Sequence, residues 1–71
     1  MKMENFLGKR LKELRIENKM TQKELATALG INSVTYLHYE KSQREPPLAL
    51  LVAMADYFGV TTDYLLGRID Y

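Results

Sequence analysis

The apolar positions of this chain recur at helical spacing in five short runs, separated by glycine, proline or polar turns. Leu7, Leu11 and Leu14 stand at i, i+4 and i+7, a core-facing stripe for a helix from a cap at Asn5 to about Asn18, after a loose end at Met1–Glu4. Lys9, Arg10, Lys12, Glu13 and Glu17 fall on its other faces and read as a solvated surface. Asn18–Lys19 must then turn the chain, and asparagine tolerates left-handed backbone better than most residues. Leu25, Ala26 and Leu29 make the inward stripe of a second helix, and Tyr36 and Tyr39 that of a third. Ser33, Val34, Leu37 and His38 are left facing out. Lys41–Pro47 reads as a loop. Leu48, Leu51, Val52, Ala55 and Phe58 then predict a fourth helix with Pro47 at its first position and Gly59 at its end. Thr61 caps a last short helix, TDYLL, which Gly67 terminates. The expectation is an all-α fold, one domain over residues 1–71, with five helices around one core.

The punctuation is densest between residues 21 and 40. Thr21 with Glu24 is a capping box, and Met20 with Leu25 the matching hydrophobic staple. Gly30 stops the helix, since the position after a helix end commonly needs positive φ. Asn32 caps the next one, and Ile31 with Tyr36 repeats the staple. Ala26 keeps the crossing of the two helices close. Two caps, two staples and a glycine turn predict a helix-turn-helix. In that motif the second helix enters the major groove with its leading residues at base edges, while the first crosses the backbone. An ordinary helical hairpin is the structural alternative.

Composition narrows the chemistry. The chain has 71 residues, no cysteine and a single histidine, His38. Disulfides and thiolate metal sites are therefore excluded, and neither a metal nor another cofactor is expected. No paired carboxylates, nucleophile with a base, or phosphate-cradling glycine loop stands out, so an enzyme is not expected; the glycines at 8, 30, 59 and 67 read as helix punctuation. No apolar run approaches the roughly 20 residues that cross a bilayer, and no signal peptide is visible. A cytoplasmic protein with no membrane partner and no evident small-molecule ligand is the expectation. Net charge is only +1, but residues 1–45 hold nine Lys/Arg against six Glu, while residues 46–71 hold Arg68 against Asp56, Asp63 and Asp70. The basic half is the one with the helix pair, as phosphate binding favours.

Leu11–x–x–Leu14–Arg15, Thr21–Gln22–x–x–Leu25–Ala26, Gly30, Tyr39–Glu40, Pro46 and the closing run from Ala55 to Gly67 resemble the phage repressor and Cro-like helix-turn-helix family, the Xre type. The resemblance runs from about Leu7 to Gly67. It implies a compact lambda-repressor-like fold and a regulator, most often a repressor, that binds double-stranded DNA as a homodimer on a two-fold operator. Matched positions imply roles: Gln22 at a phosphate while bracing the second helix, Thr21 and Thr27 at the backbone, Thr35 near a phosphate, and Asn32, Ser33, Val34, Leu37 and His38 toward the groove. Lys41, Gln43 and Arg44 match the loop that runs along the backbone. Arg15 and Glu40 resemble an ion pair joining the first and third helices, structural rather than catalytic.

Chemistry takes these positions a step further. Asn32, Ser33 and His38 can donate and accept at base edges, whereas Val34 and Leu37 suit thymine methyls. Partial burial of Val34 and Leu37 against a neighbouring helix is the alternative, as is a His38 that contacts nothing. Val60, Tyr64, Leu65, Ile69 and Tyr71 are candidate dimer residues, with closure of the core the alternative for Tyr64 and Leu65. A protein-interaction module, antitoxin-like or anti-repressor, could use the same helix surface. Three positions depart from the family's pattern. Lys19 and Ser42 stand where glycine is usual, implying left-handed strain or a reshaped loop. Tyr36 stands where isoleucine or valine is common, implying a roomier core.

Overall fold

The structure, a computed structural model, describes residues 6–69 and contains five helices among them. They are α1 (Phe6–Glu17), α2 (Gln22–Leu29), α3 (Ser33–Glu40), α4 (Leu48–Phe58) and α5 (Thr62–Leu65). The expected cap at Asn5 and the end Met1–Glu4 lie outside the described residues.

The caps form as the sequence requires. Thr21 Oγ1 accepts from the Glu24 N–H at 3.0 Å, and Glu24 Oε1 accepts from the Thr21 N–H at 2.8 Å, closing the capping box. Gly30 ends α2 at φ 74°, and the Ile31 N–H reaches back to the Ala26 carbonyl at 2.9 Å. Thr61 Oγ1 accepts from the Tyr64 N–H at 3.0 Å and starts α5. Pro47 stands one residue earlier than expected, as the cap of α4 rather than its first helical residue.

Leu11, Leu14, Leu25, Ala26, Tyr36, Tyr39, Leu51, Met54, Ala55 and Leu65 form one core. Helix α1 packs against α3 and α5, α2 against α3 and α4, and α4 against α5. The α4 stripe departs from the expectation. Its buried line is Leu51, Met54 and Ala55, with Leu50 and Phe58 half-buried, while Leu48 is 75% exposed and Val52 43%. Helix α4 is apolar at every position but Asp56, so its periodicity supports more than one inward face. Contact with α2 and α5 selects the face that carries Met54.

The two unusual loop positions keep the left-handed backbone that glycine would take: Lys19 lies at φ 58° and Ser42 at φ 59°. Lys19, not Asn18, makes the turn after α1; Asn18 Nδ2 instead donates to the Leu14 carbonyl at 2.7 Å. Left-handed backbone costs a residue with a side chain roughly 1–2 kcal/mol, against about 0.5–1 kcal/mol for glycine's extra freedom in the unfolded chain. Lys19→Gly is therefore expected to stabilise by about 0.5–1 kcal/mol. Thermal unfolding should show Tm rising by roughly 2–8 °C; a fall would mean that the Lys19 side chain holds the turn.

Candidate nucleic-acid interface

Helix α3 is gripped from its inner side. Tyr36 is fully buried and Tyr39 nearly so, both within the core. At its end, Arg15 Nε of α1 donates to Glu40 Oε2 at 2.6 Å, with side-chain exposures of 12% and 4%. Tyr36 Oη donates to the same oxygen at 2.5 Å, Gln22 Nε2 of α2 donates to Glu40 Oε1 at 3.1 Å, and Arg15 Nη1 donates to the Met20 carbonyl at 2.9 Å. One carboxylate thus ties α1, α2 and α3 together. Tyr36 is no accident of a roomier core: its extra length carries a hydroxyl to Glu40 that an isoleucine could not supply.

The electrostatics follow from that arrangement. Burial pushes the Glu40 carboxyl up, but hydrogen bonds from Arg15, Tyr36 and Gln22 outweigh it and hold the carboxyl below its ordinary range. Burial first, and then the hydrogen bond to a carboxylate, push the Tyr36 phenol well above the usual tyrosine range. The bond to Glu40 raises the Arg15 guanidinium, which stays charged.

On the outer side, Ser33 is exposed and Val34 is 59% exposed, while Thr35, Leu37 and His38 are half-buried. Asn32 is exposed, but its Oδ1 accepts from the Val34 N–H at 2.7 Å as the helix cap, so that oxygen is already engaged. His38 Nδ1 is buried with no hydrogen-bond partner. Thr21 and Thr27 are exposed on and just before α2, and Lys41, Gln43 and Arg44 are exposed in the loop after α3. Ser42 adopts left-handed backbone in the same loop, at φ 59°.

Leu65 requires a correction as a dimer candidate: it is fully buried in this chain's own core and offers no surface. Tyr64 is half-buried beneath Arg10, whose guanidinium lies 4.3 Å from its ring centroid. Val60 and Ile69 are half-buried, and Tyr71 lies outside the described residues. Arg10 is half-buried, not part of the solvated surface on which its spacing places it. Its Nη1 donates to the Tyr64 carbonyl at 2.5 Å and the Ile69 carbonyl at 2.6 Å, fastening the segment around α5 to α1. No pattern in the sequence separates Arg10 from its charged neighbours. Gly8 did carry a signal, as a glycine inside a helical pattern. It is buried within α1, and a Cβ there would meet the Tyr39 and Glu40 carbonyls and Ser42 Oγ. It permits close approach and does not punctuate a helix.

Two capped helices across a glycine turn, the second held from within and open outward, define the helix-turn-helix class. The sequence profile of the helix-turn-helix family matches residues 11–65. The chain therefore belongs to the Xre/Cro-like helix-turn-helix family, with its all-α lambda-repressor-like fold. It is 44% identical over 62 residues to the HTH-type transcriptional regulator ImmR of Bacillus subtilis, covering 87% of this chain and 49% of the relative. It is 44% identical over 59 residues to the HTH-type transcriptional regulator AnsR of the same organism, covering 83% and 51%. It is also 35% identical over 55 residues to the cryptic phage CTXphi transcriptional repressor RstR of Vibrio cholerae, covering 78% and 50%. The chain spans about half the length of these curated relatives. Among the described residues, no helix is long and apolar enough to cross a membrane.

Proposed function

We propose that this chain is a sequence-specific double-stranded DNA-binding transcriptional regulator, a repressor that occupies a two-fold operator as a homodimer. The single observation that carries it is α3: its inner face is locked by Tyr36, Tyr39 and Glu40, while Asn32, Ser33 and Val34 at its leading end are exposed. Such a helix can enter a major groove without rearranging. Asn32, Ser33, Val34, Leu37 and His38 would face bases, with at least one thymine methyl against Val34 or Leu37. Thr21, Gln22, Thr27, Thr35, Lys41, Gln43 and Arg44 would lie along phosphates. The Gln22 amide braces Glu40 from the first residue of α2, which supports the bracing half of its expected role. The printed names of the relatives, regulators and a phage repressor, support the same reading. The described chain carries one such helix in a body of 30 × 23 × 21 Å. Reading two half-sites roughly 34 Å apart therefore takes two copies.

Affinity for a duplex selected from a random pool, measured by anisotropy at several salt concentrations, tests this. With Lys41 and Arg44 at phosphates in both copies, log K should fall against log salt with a slope of about −4. Lys41→Ala should flatten that slope by roughly 2, one contact per copy. Val34→Ala should instead change base preference. A salt-independent affinity, or none for any duplex, would turn the same surface toward a protein partner.

A further inference from the structure

We infer that α3 reads hydrogen-bond acceptors on the bases, with Nε2 of His38 and Nδ2 of Asn32 as its donors. This inference rests on the DNA-binding function proposed above and adds the class of base edge recognised.

Two independent features of the fold remove acceptors from this surface. His38 Nδ1 is buried and has no partner among the described residues, whereas Nε2 is not among the buried atoms left without one. A proton on Nδ1 would be a buried N–H with nothing to accept it, and orphaned buried N–H groups are rarer than under-satisfied acceptors. The arrangement that avoids it puts the lone pair on Nδ1 and the proton on Nε2, so the ring offers a donor outward. Asn32 arrives at the same polarity by another route. Its Oδ1 caps α3 by accepting from the Val34 N–H at 2.7 Å, which leaves the two N–H groups of Nδ2 to face outward. Ser33 alone among the three can still accept.

In the major groove the acceptors are guanine N7 and O6, adenine N7 and thymine O4; the donors are the amino groups of cytosine and adenine. Donors at His38 and Asn32 therefore favour guanine or thymine at the bases these two residues contact. Guanine, with two adjacent acceptors, is the best match for His38. Val34 lies one turn before His38 on the same helix face, so a methyl contact and a donor fall side by side. Thymine beside guanine satisfies both.

The full chain is first used to select duplexes from a random pool. In the selected half-site, single acceptors are then deleted with 7-deazaguanine for guanine or 5-methyl-2-pyrimidinone for thymine. Single amino groups are deleted with 2-aminopurine for adenine or 2-pyrimidinone for cytosine. One acceptor deletion per half-site should weaken the wild type about fivefold and leave His38→Ala unaffected. Nitrogen-15 NMR of the free chain should show the His38 proton on Nε2. A proton on Nδ1 overturns the inference, as does a His38-dependent position that proves to need a cytosine or adenine amino group. An enriched site indifferent to His38 sinks this inference alone. A pool with no enriched site removes the DNA-binding function and this inference with it.

Discussion

Glu40→Ala is expected to remove most of the chain's stability, leaving about 0–2 kcal/mol at room temperature. The carboxylate accepts from Arg15, Tyr36 and Gln22, and the Arg15 and Glu40 side chains are 12% and 4% exposed, so removing it strands three donors, one of them charged. Breaking a buried pair from one side costs roughly 3–5 kcal/mol, against a total of about 5 kcal/mol for a domain of this size. Urea titration followed by circular dichroism reads this directly. The double variant Arg15→Met, Glu40→Leu should recover most of the loss, because the uncompensated charge goes with its partner. The same contacts fix a pH window. The Glu40 carboxyl is held below its ordinary 4.5, so its contribution is complete above that value and is lost as pH falls through the lowered one. The Tyr36 phenol is raised above its ordinary 10.0, so its contribution is complete below that value and shrinks as pH climbs past it. Wild-type stability should fall on both flanks, and Tyr36→Phe should lessen the alkaline fall. Glu40→Ala destabilising by less than about 1 kcal/mol would place the pair in the weak, solvated class.

The helix-turn-helix was legible because its signals are local. A capping box, an asparagine cap and a glycine at the turn each act within a few residues, and each forms where the pattern puts it. Tyr36 and Tyr39 at a spacing of three also marked the inner face of α3. What stayed hidden depends on residues distant in the chain. Helix α4 is apolar almost all round, so only its neighbours could choose between Leu48 with Val52 and Met54. Arg10 reaches carbonyls 54 and 59 residues away, and no sequence window holds both ends of such a contact. The candidate base-facing positions could be enumerated from the sequence, but not their hydrogen-bonding polarity. That depends on one buried ring nitrogen and one oxygen engaged in a cap.

Gly8→Ala separates local preference from long-range packing most sharply, because the two predict opposite signs. Inside a helix, alanine is better than glycine by roughly 1 kcal/mol, so an isolated α1 would gain stability. In the folded chain the new Cβ would lie 2.8 Å from the Tyr39 carbonyl and 2.8 Å from Ser42 Oγ, and closer still to the Glu40 carbonyl. Two of these three atoms belong to the backbone at the end of α3 and cannot rotate away, so α1 and α3 must separate. Overpacking of this kind costs about 1–3 kcal/mol, and immovable partners put this case at the upper end, for a net loss of about 2 kcal/mol. A separation there also strains the grip of Arg15 on Glu40, which joins the same two helices. Chemical denaturation should therefore show a lower midpoint for Gly8→Ala. Ser42→Gly in the same chain removes only the side-chain obstacle, so beyond the roughly 0.5–1 kcal/mol that glycine brings at φ 59° with or without Gly8→Ala, it should restore little of what Gly8→Ala loses through the carbonyls. If the double variant recovered fully, the Ser42 hydroxyl would be the obstacle and α1 could approach α3 without a glycine. If Gly8→Ala alone stabilised the chain, the close contact between these helices would not exist in solution, and the inner grip on α3 would have to be redrawn.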